Sequence, residues 1–331
     1  MKLQNKIAVH FVWMFVFTAL TASACDICGA FIGVLPYDNQ SSFGIYHRYG
    51  LYSRITSISD QPLVPSGSYR LQPTYSVLHS GHDSAGLQKG DFESYKTIEL
   101  RGKWFIQNRV ELNALLPFIS IRERSNSELE KISGFGDASV WVGFHILKKL
   151  DSDLKQRLVA GVGVKFPTGN NELQNEDGTR YHLYMQPGTG SVDETAYLQY
   201  SLGWKKFGLT MNGTVKRNGE NKFAEQIEPS YTSTFNLFYM IRNGKMIFVP
   251  QLQFYADRCD GYVANDILAK GSEIGAVMGG AGCDVYFGKF GVHFTAQIPV
   301  AQIQSDENPG ATFRGALGIS WNINQQKFLF N

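Results

Sequence analysis

GFGDASVWVGFHIL at 134–147 and RLVAGVGVKFPTG at 157–169 flank a charged connection of nine residues, Lys148–Gln156. In the first segment Ala138, Val140, Val142, Phe144 and Ile146 share one face, and Asp137, Ser139, Trp141, Gly143 and His145 share the other. In the second, Leu158, Ala160, Val162, Val164 and Phe166 alternate with Arg157, Gly161, Gly163 and Lys165. A period of two is that of extended strands with one apolar and one polar face. What covers the apolar face, protein core or lipid, decides the fold.

Outward from this hairpin the same rhythm continues. Strands are expected over 43–55, 92–104, 109–121, 135–147, 157–168, 194–204, 207–217, 231–241, 246–257, 273–287, 290–303 and 311–323. Most are eleven residues or longer. Globular strands usually run to about 5–6 residues, whereas a tilted membrane strand needs about 9–11. The connections alternate in length. Those around Gln107-Asn108, Lys205-Lys206, Asn243-Gly244 and Gly288-Lys289 are tight, while 56–91, 122–134, 169–193, 218–230 and 258–272 are long. Short turns at one rim and long loops at the other are the pattern of outer-membrane barrels. The chain is therefore expected to be all-β, an antiparallel transmembrane barrel of about twelve strands occupying residues 43–331. The long loops read as irregular and solvated.

The faces point the same way. Ile98, Leu100, Leu112, Leu116, Leu252, Phe254, Phe294, Ile298, Leu317 and Ile319 belong to the apolar set, with Trp104, Trp204 and Trp321 at strand ends. The opposite face carries the expected lumen-lining residues: Arg48, Glu99, Arg101, Lys103, Arg109, Glu111, Asp137, His145, Lys165, Arg242, His293 and Arg314. Two readings of these charges stand side by side. They pair across strands and pin the wall, with Arg101 and Glu111 as candidate partners, or they form a mildly cationic path for anionic and polar solutes.

The ends set the compartment. Lys2 and Lys6, the apolar run Ile7–Leu20 and Ala22-Ser23-Ala24 have the form of a removable signal peptide at 1–24. Residues 25–42 are expected to be a periplasmic or plug segment, since 30–36 is too apolar for a free tail. Later segments lack the ~18 consecutive apolar residues of a membrane helix, which leaves a closed barrel as the spanning structure. A net charge of +2 with 18% charged residues argues against nucleic acid as partner.

Cys25 and Cys28, at the predicted mature start, admit a disulfide, a soft-metal pair for Cu or Zn, or lipidation of Cys25. His79 and His82 form a second candidate metal pair. No cofactor is required for the fold. Cys259 and Cys283 lie in different settings and are expected to be unpaired.

Gly134, Gly136, Asp137, Gly161, Gly163, Lys165, Pro167, Thr168 and Gly169 resemble the signature of the MetA-pathway-of-phenol-degradation family of outer-membrane barrels. The resemblance implies passage of a small solute across the outer membrane of a Gram-negative cell without an enzymatic step; the family's name points to an apolar aromatic solute, and the cysteine pair to a metal-linked one. The alternatives from other classes are a lipid hydrolase built on a barrel and a structural or adhesive barrel.

Overall fold

A computed structural model of the chain describes residues 40–53, 92–125, 128–269, 272–303 and 310–323. The strands in chain order are β1 (Ser42–Ser53), β2 (Phe92–Gln107), β3 (Val110–Ser125), β4 (Glu128–Phe135), β5 (Ser139–Lys149) and β6 (Leu154–Lys165). They continue as β7 (Asp193–Trp204), β8 (Phe207–Arg217), β9 (Glu225–Ile227), β10 (Ser230–Tyr239), β11 (Ile241–Asn243) and β12 (Met246–Cys259). The last are β13 (Tyr262–Ala264), β14 (Ile267–Leu268), β15 (Ile274–Phe287), β16 (Phe290–Ile303) and β17 (Gly310–Asn322).

Each barrel strand pairs antiparallel with its neighbours, β10 pairs β12, and β1 pairs β17, so the sheet closes on itself. The short β4 and β5 share one position beside β3, and β11 continues β10 beside β12. The result is a closed barrel of twelve strand positions. Closure removes both sheet edges and satisfies the backbone groups that lipid cannot.

The faces are inverted relative to a water-soluble protein. Ile98, Val142, Phe144, Val162, Leu252, Phe294 and Ile319 are exposed, while Glu99, Glu111, His145, Lys165, Asp284 and Arg314 are buried. Burying charges inside and leaving branched apolar side chains outside is stable only where the outside is hydrocarbon. The apolar face of the opening hairpin therefore meets lipid.

The predicted strand at 135–147 is interrupted. Residues 136–138 leave the ladder between β4 and β5, and β6 ends at Lys165 rather than continuing to Thr168. The predicted loop at 122–134 is instead mostly strand, because β3 and β4 extend as a long hairpin beyond the wall. The loops are also less solvated than expected. β9, β13 and β14 form a small sheet over the long-loop end, and a turn of 3-10 helix spans Leu183–Met185.

Candidate solute path

Inside the barrel, the wall between β1 and β5 carries two charge clusters. Glu99 receives Arg48 Nε at 3.0 Å and Arg101 Nε at 2.8 Å. Glu111 receives Lys103 Nζ at 2.8 Å and His145 Nε2 at 3.0 Å, with Tyr197 Oη at 3.5 Å. The expected Arg101–Glu111 pair does not form. Arg101 stands opposite Leu115 and Glu111 opposite Phe105, a separation of four residues along the hairpin, roughly 13 Å. Lys103 is only two residues from that register position and reaches diagonally.

The far wall holds two more clusters. Arg314 Nη2 lies 3.0 Å from Asp257 Oδ2 and 3.3 Å from the Tyr52 hydroxyl, with its guanidinium 4.7 Å from the Tyr255 ring centroid. His293 bridges Asp284 through Nδ1 at 2.9 Å and Ser320 Oγ through Nε2 at 2.8 Å. Ser320 gave no signal in the sequence because it joins His293 only by pairing of β16 with β17.

Glycines let the inner rings lie flat. A Cβ on Gly163 would stand 2.0 Å from the Trp141 ring, and one on Gly161 would stand 2.3 Å from that of Tyr197. The alternating glycines of β6 thus leave room for aromatic side chains of the neighbouring strands.

The long-loop end is crossed by residues 166–192. Leu183 packs with Ile227, Cys259, Tyr262 and Ala264, while Met185 packs with Ile121 and Ile132 on β3 and β4. In the strand order, β3 and β4 lie on the opposite side of the barrel from β10 and β12. The segment therefore spans the lumen.

Asp137 holds this segment in place. Its carboxylate accepts the Lys165 ammonium at 2.6 Å and the backbone N–H groups of Gly169 and Thr189, each at 2.9 Å. Lys165 reaches on to Asp193 at 2.9 Å, and Asp193 takes Lys216 at 3.0 Å. The strand breaks at 136–138 because this carboxylate turns toward the loop. Beside it, a Cβ on Gly169 would lie 2.8 Å from backbone atoms of both Gly136 and Gly188. The motif read in the sequence as a strand signature is also the loop's anchor.

Farther along, Arg180 grips Glu225 with Nη1 2.9 Å from both carboxylate oxygens, and the Tyr262 hydroxyl donates to Glu225 at 3.0 Å. Burial works to raise the Glu225 pKa, but hydrogen bonds from Arg180 and Asn221, the Arg180 charge and the Tyr262 hydroxyl outweigh it and hold it below the usual carboxylate range.

Of the residues expected to line the lumen, Arg109 and Arg242 are placed elsewhere. Both are exposed at the short-turn rim, Arg109 donating to the His145 carbonyl at 3.3 Å. Each lies at a strand end, where alternation no longer dictates direction. The other ten, including Arg48 and Lys103, point inward. Cys25, Cys28, His79, His82 and nearly all of the segment 25–42 lie outside the described residues. Among the described residues no group of three or more His, Cys, Asp or Glu is disposed to hold a metal, and Cys259 and Cys283 are not joined in a disulfide.

The family model described as MetA-pathway of phenol degradation matches residues 85–258. Among solved structures, an outer-membrane channel from Pseudomonas putida is similar with a TM-score of 0.62 at 15% identity, over 91% of this chain and 100% of that one. The β-domain of the Bordetella autotransporter BrkA gives a TM-score of 0.49 at 10% identity, covering 86% and 100%. LpxR from Salmonella typhimurium gives 0.42 at 12% identity, covering 85% and 99%. No curated protein matches the sequence.

Proposed function

Since this chain belongs to the MetA-pathway-of-phenol-degradation family, we propose that it is an outer-membrane channel for small uncharged solutes, narrowed at its long-loop end by residues 166–192. The observation that carries this reading is the segment anchored across a closed barrel by Asp137, Lys165 and Asp193. A polar lumen admits water and solute, and a segment across it sets the size limit.

The charge pattern favours uncharged solutes over anions. Arg48 and Arg101 face Glu99, Lys103 faces Glu111, Lys165 and Lys216 face Asp193, and Arg314 faces Asp257. Paired in this way, the cations present little net field to an ion. Tyrosine rings and amides such as Gln251 and Gln253 share the same interior. A small ring bearing a hydroxyl suits such a surface, and the family's name is that of a phenol pathway.

Flux through vesicles reconstituted with the full chain tests the reading. Phenol is expected to cross faster than benzoate, a similar-sized anion, and small-molecule flux is expected to rise in Asp137→Ala. Absence of flux above empty vesicles for every small solute overturns the channel.

Asp284, His293 and Ser320 favour a second reading, hydrolysis, because the serine, imidazole and carboxylate are linked in the order that activates a nucleophile. Against it, Ser320 is paired on both sides, with Gly44 of β1 and Gly291 of β16, and its side chain is buried. Strand N–H groups engaged in a ladder are not available to hold an oxyanion. Labelling of Ser320 by a fluorophosphonate probe, lost in His293→Asn, would favour the hydrolase.

A further inference from the structure

The short-turn end of the barrel is basic, whereas the long-loop end carries both signs. On the short-turn side, Arg109 follows the β2–β3 turn, Lys148, Lys149 and Lys155 flank the β5–β6 turn, and Lys205-Lys206 join β7 to β8. Arg242 and Lys245 bracket the β11–β12 turn, and Lys289 lies between β15 and β16. Against these nine cations the same five turns hold two acids, Asp151 and Asp153. The described long loops are mixed, exposing Glu128, Glu172, Glu176, Asp177, Glu220 and Asp266 together with Arg122, Arg124, Lys131, Arg217 and Lys222.

The basic ring sits directly beside an aromatic belt. Trp104, Trp204, Phe207, Phe287 and Phe290 are exposed on the outer surface at the strand ends that enter these turns, and the exposed Trp321 pairs with Phe290 at the same rim. Such rings mark the depth of the lipid headgroups. Lys205 Nζ lies 5.0 Å from the Trp204 ring centroid, so its ammonium is held at that depth. Lys205 also has φ 51°, a left-handed conformation that glycine occupies in two other turns, at Gly244 and Gly288. A lysine there accepts backbone strain that glycine or asparagine would relieve.

We propose that the short-turn rim is a binding surface for anionic phospholipid headgroups of the periplasmic leaflet. The cations occur at all five short turns, which follow the circumference rather than forming one patch. A lipid annulus contacts a whole circumference, whereas a docked protein covers one sector. Cations at a bilayer surface attract anionic lipid, and the attraction is screened by salt. The inference depends on the barrel and its orientation, with short turns periplasmic, and is independent of what the lumen conducts.

The test uses the full chain in bilayers and its own tryptophans, three of which border the rim. Their quenching by brominated phosphatidylglycerol is compared with that by brominated phosphatidylcholine at equal mole fraction, in low and high salt. At low salt the anionic lipid is expected to bind about five-fold more tightly. That preference is expected to vanish at high salt and in a variant carrying Lys205→Asn, Lys206→Gln, Arg242→Gln and Lys245→Gln. Heat-modifiable migration reports whether the variant is folded. Equal quenching of the unaltered protein by both lipids, or a preference unchanged by salt or in the folded variant, overturns the proposal. Should the variant fail to fold, the lipid and salt comparisons on the unaltered chain still decide it.

Discussion

Lys165 Nζ lies 2.6 Å from Asp137 Oδ2, joining the end of β6 to the break between β4 and β5. Lys165 is also 2.9 Å from Asp193 at the start of β7, so one buried ammonium ties three neighbouring strand positions. The same Asp137 carboxylate accepts two N–H groups of the segment that crosses the lumen. Wall and segment therefore share one electrostatic joint.

Removing Asp137 is expected to release that segment. Asp137→Ala leaves Lys165 with one carboxylate instead of two and strips the acceptor from the N–H groups of Gly169 and Thr189. Breaking a buried ion pair costs about 3–5 kcal/mol, enough to open a surface segment while the barrel stays folded. Single-channel recording in planar bilayers should show a larger conductance than the unaltered protein; an unchanged conductance would count against residues 166–192 as the constriction.

A methyl group at Gly169 should loosen the same joint by a different route. Its Cβ would meet the backbone of Gly136 and Gly188 at 2.8 Å, and backbone cannot swing aside as a side-chain tip can. Overpacking of this kind costs about 1–3 kcal/mol. Limited proteolysis of Gly169→Ala is expected to cut within 170–190 faster than in the parent protein, with the barrel core still resistant.

Acid should loosen the small sheet over the long-loop end. The Glu225 carboxyl is held below its ordinary pKa by Arg180, so its contribution is present above the unfolded value, about 4.3, and is lost as pH falls through the lower folded value. Hydrogen exchange of residues 221–228 is expected to speed up at pH near 3 relative to pH 7, after correction for intrinsic rates. Glu225→Gln should abolish most of that difference, and equal acid sensitivity in both proteins would locate the effect elsewhere.

The inverted faces make a sharp contrast between neighbouring positions. Val162 is 65% exposed on the outer wall, so Val162→Arg would place a cation in hydrocarbon. The expected cost is about 2–4 kcal/mol if the position lies near the bilayer midplane. Urea titration of protein folded in vesicles measures it. Val159 points inward and is 2% exposed, and a conservative Val159→Ala change should act through packing without depending on bilayer thickness.

Much of this architecture was legible along the chain because alternation is a local property. Val140, Val142 and Val162 announce an apolar face two residues at a time, and the contrast between Lys205-Lys206 and the long 169–193 connection sorts the two rims. Arg109 and Arg242 escaped the pattern because they lie where strands end and direction is set by the turn. The Arg101–Glu111 pairing failed for a related reason. Charge complementarity was visible, but the four-residue offset between them is a property of the register.

By itself the sequence determined the strand count, the two faces and the family to which residues 134–169 point, because each depends on neighbours in the chain. The tertiary structure alone decided which carboxylate meets which cation, brought Ser320 to His293, and laid residues 166–192 across the lumen. Several of those contacts join residues more than 50 positions apart, such as Arg314 with Asp257 and Thr189 with Asp137. No periodicity encodes such distances; they exist only once the sheet has closed.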